Sequence, residues 1–559
     1  MSPWMPSNST KKLRKKSILA GLAVLSFLLA LTPFTASSPA AGPTDSTPKL
    51  VVILAIDQMR GDYLDRFATE WRGGIKRLID QGAWFTNAAY PYSGTVTCAG
   101  HSSISTGDFP DRHGMIGNNW WNRELNKEVN CTEDPSTHLL SYDGATLSVT
   151  QGDSAWRMKA PAFADSFRAT YPNSHVVTLS DKARAAVPLG GHHPDSVIWL
   201  EGSHWVTSDA YGHEPSKVIA QYVIAHPITE DAGKSWSSSF SADSKGKQAE
   251  NFSYPIGKTG SADSEFLSNW TASPYSDAYL GSMATAAVSG MHLGNNSTPD
   301  FLAIGFSAVD LVGHHFGPDS PEMHDLLLHL DNTLGKLLAA LDDSVGKGNY
   351  VVALSADHGV APIPEKAVEE GKPAGRVDSP EVSAQIEKML KAHNYPGGAV
   401  LLFDDGNIFL RTDVRDKLKN DPTTIQAVLS AARGVEGIAD AFWGEQIKEL
   451  APKNRLARAA SFSYYSGRSG DIVVLTKPYW LFDRRNKLGK FGSGTTHGTP
   501  YPYDQHVPVV FMGAGIKAGK YDIDASPADI VPTLAAIAHV KLPPTEGKPL
   551  AVALASSHH

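Results

Sequence analysis

Five short runs of β-branched and aliphatic residues constrain this chain more than any other feature: LVVILAI (50–56), HVVTL (175–179), FLAIGFSA (301–308), YVVALSA (350–356) and VPVVFM (507–512). None alternates apolar with polar residues, so each reads as a strand buried on both faces, the signature of a parallel sheet. Helical patterns separate them. In PEMHDLLLHLDNTLGKLLAALDDS, Met323, Leu326, Leu327, Leu330, Leu334, Leu337, Leu338 and Leu341 recur at helical spacing. SPADIVPTLAAIAHV opens with a Ser-Pro suited to a helix start. Strands alternating with helices predict an α/β fold, a doubly wound and mostly parallel central sheet with helices on both faces. Its chemistry is expected just past the carboxyl ends of the strands.

Two stretches differ in texture. Residues 115–300 are rich in Ser, Gly, Trp and Tyr, and residues 365–495 carry their own helix and hairpin signals, including LLFDDGNIFL with an Asp-Gly turn. Core strands occur on either side, so both read as insertions into a single domain spanning about 48–555. At the N-terminus, KKLRKK precedes the apolar run SILAGLAVLSFLLAL and then small residues around FTASSPAAG. That order is a secretory signal over residues 1–41, the apolar run being shorter than the roughly 20 residues a membrane span needs. A periplasmic or secreted protein with no stable membrane span after cleavage is expected. With two cysteines, Cys98 and Cys131, an exported chain can form a single bridge or keep two buried apolar thiols. The net charge of -8 excludes a basic nucleic-acid-binding surface.

The strand ends carry the chemistry. The first run delivers Asp57, the third leads to Asp310 and His314 in DLVGHHFG, the fourth to Asp357 and His358 in SADHG, and GTTHGTP supplies His497 before the fifth. Carboxylate and imidazole donors without thiolate suit a catalytic metal that keeps a position open for substrate. Six such groups at one end of a sheet repel or desolvate one another unless cations lie among them. Thr97, in PYSGTVTCAGHSS, begins a segment of small residues able to start a helix, where its hydroxyl and the adjacent amides face an anion. A free Thr hydroxyl is a poor nucleophile, and a nearby dication activates it for attack on phosphorus. His101, His192, His193 and His315 read as structural, Asp62 as the cap of the helix after the first strand, and Trp120 with Trp121 as cleft lining or local core.

The motifs DQMRGDYL, TVTCAGH, GMIGNNWW, SDKARA, DLVGHHFGPDS, SADHG and THGTPYPYDQHVPVVF resemble, in order and over nearly the whole chain after the signal, the threonine-nucleophile bacterial alkaline phosphatases of the alkaline phosphatase and nucleotide pyrophosphatase superfamily. The resemblance implies two zinc ions, one held by Asp310, His314 and His497, the other by Asp57, Asp357, His358 and Thr97. It implies that Asn118, Lys182 and Arg184 grip the phosphoryl oxygens. The expected reaction is hydrolysis of small phosphate monoesters through a phospho-threonine intermediate, by a monomer. A further calcium or magnesium ion is compatible with the sequence, but no residues assign it. A diesterase of the same superfamily shares the ligands and Thr97; Lys182 and Arg184 argue for the monoester dianion, which needs more positive charge. A sulfatase is disfavoured because Cys98 is followed by Ala-Gly-His-Ser, without the Pro and Arg of that motif. A non-catalytic phosphate- or zinc-binding protein is the remaining alternative.

Overall fold

Aliphatic strands buried on both faces need neighbours on both edges and helices above and below, and the computed structural model, which describes residues 47–239, 251–260 and 262–555, arranges them so. The N-terminal segment read as a secretory signal lies outside the described residues. Eleven strands form the main sheet: β1 (Leu50–Ile56), β2 (Ala83–Ala88), β3 (Glu133–Ser141), β4 (Gln151–Asp153), β5 (Val176–Ser180), β6 (Ser196–Glu201), β7 (His204–Ser208), β8 (Asp300–Phe306), β9 (Tyr350–Ser355), β10 (Val509–Gly513) and β11 (Gly519–Ala525). Their order is β11-β2-β10-β9-β1-β8-β5-β6-β7-β3-β4. The centre, β9-β1-β8-β5-β6, is parallel throughout.

Alternate residues of β1 feed different cores. Leu50, Val52, Leu54 and Ile56 pack on one face, Val51, Ile53 and Ala55 on the other. The functional helices are α1 (Thr97–Thr106), α2 (Ala183–Gly190), α3 (Pro274–Gly290), α4 (Ala308–Phe316), α5 (Pro321–Ser344) and α6 (Ile530–Ala538). The Leu stripe of α5 lies in the first core, and α6 packs in the second. Among the described residues no helix is long and apolar enough to cross a membrane.

Three features depart from the sequence expectation. The run at 507–512 forms β10, which is antiparallel to both β9 and β2. An apolar run does not encode direction, and a strand that follows His497 at the carboxyl end of the parallel strands must run away from that end. Second, residues 115–300 are not simply inserted, since they supply β3 to β7 of the main sheet. Segments such as EDPSTHLLS and HWVTS carry polar residues throughout and so lack a continuous apolar signature. Third, Asp62 occupies the N-cap position of a short helix without capping it; its carboxylate pairs with Arg60 at 2.8 Å.

Residues 365–495 carry a separate four-stranded sheet, in the order Val400–Asp404, Asn407–Leu410, Ile472–Thr476 and Ile438–Trp443. It has its own apolar core around Val382, Ile386, Leu410, Val428 and Val474. The Asp-Gly turn takes left-handed φ values of 42° at Asp405 and 80° at Gly406, as a two-residue hairpin requires.

Candidate metal and catalytic centre

Parallel register brings the strand ends level. Ala55 of β1 lies opposite Gly305 of β8 and Ser355 of β9, so the residues that follow these strands emerge together. Asp57 is anchored there by its N–H, which donates to the Phe306 carbonyl at 2.9 Å. Asp310 sits in the first turn of α4, and His314, one turn later, faces it with Nε2 3.1 Å from Asp310 Oδ1. His497 arrives from the loop before β10, with its Nε2 3.8 Å from the same oxygen. His358 Nε2 lies 3.5 Å from Asp57 Oδ1 and 3.2 Å from Asp357 Oδ2.

The three imidazoles share one orientation. Nδ1 donates to a backbone carbonyl in each: His314 to Thr495 at 2.8 Å, His358 to Gly359 at 2.9 Å and His497 to Thr95 at 2.7 Å. A carbonyl only accepts, so Nδ1 carries a proton in each ring and Nε2 is the atom turned toward the carboxylates, the one that would face a metal ion. That is how proteins orient metal-ligating histidines. Two groups of donor atoms lie within mutual reach: Asp310, His314 and His497, and Asp57, Asp310 and His358. The first is the expected trio. In the second, Asp310 stands where Asp357 was expected; Asp357 flanks the group through His358, and its Oδ1 accepts the Gln58 and His358 N–H groups.

These groups fit cations. Asp57 Oδ1, Asp357 Oδ2 and His358 Nε2 are buried without hydrogen-bond partners, a costly arrangement that a metal ion relieves. Burial, reinforced by the Asp310 and Asp357 charges, pushes the Asp57 carboxyl up to about 7. Burial together with the positive charge of His358 and His314 holds His497 well below its ordinary value, in the neutral form that coordinates metals. Oxygen and imidazole donors are the set that zinc takes in catalytic sites.

Thr97 is the first residue of α1 and is 1% exposed. It follows the stretch whose Thr95 carbonyl holds His497 and precedes Gly100, which packs on Asp357: a Cβ at Gly100 would sit 2.2 Å from the Asp357 carbonyl oxygen. The hydroxyls that follow Thr97 in this buried helix bond its own carbonyls, Ser102 donating to Cys98 O and Ser103 to Ala99 O. Asn118 bonds both half-cystines, its Oδ1 accepting the Cys98 N–H at 3.0 Å and its carbonyl the Cys131 N–H at 2.9 Å. Cys98 and Cys131 are joined in a disulfide.

Lys182 caps the turn from β5 into α2, and Arg184 sits in the first turn of that helix. The Lys182 ammonium lies 2.5 Å from Asp57 Oδ2 and 2.5 Å from Asp310 Oδ2. Arg184 is close enough to act on the Lys182 charge, and its Nε is buried without a partner. The other histidines stay outside both donor groups. His192 pairs with Asp165 at 2.9 Å, the His193 N–H bonds the same carboxylate, and His315 packs on Phe316. Trp120 is core, 2% exposed, beneath the Arg468 guanidinium, and Trp121 packs at the edge of the same core.

Gln58 escaped the sequence reading, and His101, read there as structural, holds the site from behind. Gln58 adopts a left-handed φ of 68°, unusual for a buried non-glycine residue, and its Nε2 donates to Asp310 Oδ1 at 2.6 Å. His101, fully buried, joins Thr97 to Asp357: its Nδ1 lies 2.9 Å from the Thr97 carbonyl and 3.3 Å from Asp357 Oδ2. Its position one turn after Thr97 was a signal for this contact.

Comparison with known proteins places the chain in a family. The sequence model described as type I phosphodiesterase / nucleotide pyrophosphatase matches residues 51–500. The chain is 32% identical over 536 residues to alkaline phosphatase PafA of Elizabethkingia meningoseptica, covering 90% of this chain and 94% of that one. It is 31% identical over 531 residues to alkaline phosphatase PhoV of Synechococcus elongatus, covering 89% and 92%. The crystal structure of wild-type PafA superposes with a TM-score of 0.82 at 28% identity, over 91% of this chain and 99% of that one. With its sheet, its convergent carboxylates and imidazoles and these relatives together, the chain belongs to the type I phosphodiesterase / nucleotide pyrophosphatase family, on its alkaline phosphatase branch.

Proposed function

We propose that the chain is an exported phosphomonoesterase that hydrolyses small phosphate monoesters to inorganic phosphate through phospho-Thr97. The observation that carries this reading is the common orientation of His314, His358 and His497, each with Nδ1 tied to a backbone carbonyl and Nε2 turned toward Asp57, Asp310 or Asp357. Asp310, His314 and His497 would hold one zinc ion, and Asp57, His358, Asp357 and Thr97 the other, with Asp310 between them. Bound there, the two ions would supply charge stabilisation for nucleophile, phosphoryl group and leaving oxygen.

The chain's own groups set the geometry. Thr97 Oγ1 attacks phosphorus, the phosphorus–oxygen bond to the alcohol breaks, and water later releases phosphate from Thr97. Because Asn118 Oδ1 accepts the Cys98 N–H, its Nδ2 is the atom left to donate to a phosphoryl oxygen. Lys182 and Arg184 add the positive charge that a dianion requires beyond a diester monoanion. The basic, apolar and small-residue order of the N-terminus and the Cys98–Cys131 disulfide both support export.

The test is hydrolysis of an aryl phosphate and a bis-aryl phosphate by protein stripped with chelator and reloaded with zinc. A phosphomonoesterase loses turnover on stripping, regains it on reloading and prefers the monoester. A diesterase prefers the bis-aryl substrate, and a binding protein turns over neither.

A further inference from the structure

Asp504 lies fully buried in the short helix Pro502–Gln505, downstream of His497, and takes no part in the proposed reaction. Its Oδ2 accepts two bonds from one residue, the Thr499 N–H at 2.9 Å and the Thr499 hydroxyl at 2.6 Å, while its Oδ1 is buried without a partner. A carboxylate stripped of water and held by so few donors costs stability rather than adding to it. Packing alone therefore does not account for an acid at this position.

Two paths of hydrogen bonds lead from Asp504 to two different imidazoles. The first starts at its side chain. Thr499, held by Oδ2, accepts the Thr95 hydroxyl on its carbonyl at 3.2 Å, and the Thr95 carbonyl in turn accepts His497 Nδ1 at 2.7 Å. The second starts at its backbone. The Asp504 carbonyl accepts the Gly359 N–H at 2.7 Å, and the Gly359 carbonyl accepts His358 Nδ1 at 2.9 Å. Gly359 is pressed against the same short helix, since a Cβ there would lie 2.2 Å from the Tyr503 carbonyl oxygen. His497 belongs to the donor group with Asp310 and His314, and His358 to the group with Asp57 and Asp310. Their rings stack with centroids 3.5 Å apart, so the two paths meet again at the site. An imidazole that ligates a metal is oriented by the partner of its other nitrogen, and loss of that support typically costs about 10- to 100-fold in metal affinity.

We propose that Asp504 is the positioning residue that sets His497 against His358, its carboxylate fixing the His497 arm and its backbone the His358 arm. The inference rests on the two-ion reading of the donor groups. The two arms are separable: replacing the carboxylate breaks the first and leaves the second, because the Gly359 bond needs only the backbone of residue 504. The ion at Asp310, His314 and His497 is therefore the one that loosens.

The experiment titrates the metal-free full chain with zinc against a competing chelator, with anomalous diffraction at the zinc edge assigning each bound ion. In Asp504→Ala the ion at His497 is expected to bind about tenfold more weakly or worse, and the ion at His358 to keep nearly its unsubstituted affinity. Thr499→Val, which removes only the hydroxyl, is expected to weaken the same ion, and Thr499→Ser, which keeps it, to restore the affinity. Unchanged zinc affinity in Asp504→Ala overturns the proposal, as does equal weakening of both ions, the result that a merely structural role would give. If Asp504→Ala fails to fold, the Thr499 pair decides, equal zinc affinities in Thr499→Val and Thr499→Ser overturning the proposal. An unsubstituted chain that takes up no zinc at the donor groups contradicts the two-ion reading itself, whereas two ions held with unaltered affinities in the variants contradict only the role of Asp504.

Discussion

Asn118 ties Cys98 to Cys131 through two hydrogen bonds of its own, one from its side chain and one from its backbone, at the same place where the disulfide ties them covalently. The first turn of α1, which carries Thr97, is thereby clamped to the loop that presents Asn118. The bridge spans a sequence separation of 33. A loop of that size corresponds to about 3 to 4 kcal/mol of stability. Cys98→Ala with Cys131→Ala is expected to lower the unfolding free energy by that order and to raise KM for a monoester, read by denaturant titration and steady-state kinetics.

Gly100 faces Asp357 without room for a side chain, since an added Cβ would meet the Asp357 backbone oxygen at 2.2 Å and its Cβ at 2.5 Å. Backbone cannot swing aside as a flexible side chain does. Gly100→Ala is expected to displace Asp357 or α1, costing about 1 to 3 kcal/mol and weakening zinc retention by tenfold or more. Melting temperature and zinc content after dialysis check this together.

On the proposed reading Lys182 and Arg184 discriminate between substrates by charge. Hydrogen bonds to charged groups contribute about 1.5 to 3 kcal/mol each, roughly 10- to 150-fold in rate. Lys182→Met and Arg184→Met are each expected to lower kcat/KM for an aryl phosphate within that range while changing it much less for a bis-aryl phosphate. Equal losses on both substrates would remove these residues from monoester selection.

His113 gives the fold an acid-sensitive point outside both donor groups. It is fully buried; its Nδ1 accepts the Met115 N–H at 3.1 Å and its Nε2 lies 3.1 Å from Ser103 Oγ of α1. Burial, helped by the Arg468 charge, pushes its pKa down to about 3. The folded state therefore holds His113 neutral while the unfolded chain takes up a proton below about 6.5. Stability from this residue is complete above pH 6.5 and is lost as pH falls toward 3, by an amount on the order of 5 kcal/mol across the whole interval. His113→Gln is expected to flatten the acid limb of a stability–pH curve between pH 6.5 and 3.

The parallel centre of the sheet was legible because burial on both faces leaves little but aliphatic residues, as in β1, β8 and β9. Its flanks were not. In β11, residues 519–525, polar side chains face solvent, and β3 mixes Pro, Ser and Thr into its length, so neither stands out from loop sequence. The α5 helix was readable over its whole length from the Leu spacing. That Asp57, Asp310, His314, Asp357, His358 and His497 gather at one end of the sheet was legible, because carboxylates and imidazoles at successive strand ends have few structural explanations. Gln58 was not, since its role rests on a backbone angle, whereas His101, read as structural, does bond Thr97 and Asp357.

The central claim is that the convergent carboxylates and imidazoles serve Thr97 as a nucleophile toward phosphorus. Acid quenching of the zinc-loaded protein during turnover of a phosphate monoester, followed by peptide mass spectrometry, tests it most directly. The account predicts phosphate on Thr97 in the unsubstituted chain, and in Thr97→Ala neither that adduct nor more than about one thousandth of the turnover. Turnover that survives Thr97→Ala undiminished, or phosphate trapped on another residue, would contradict it.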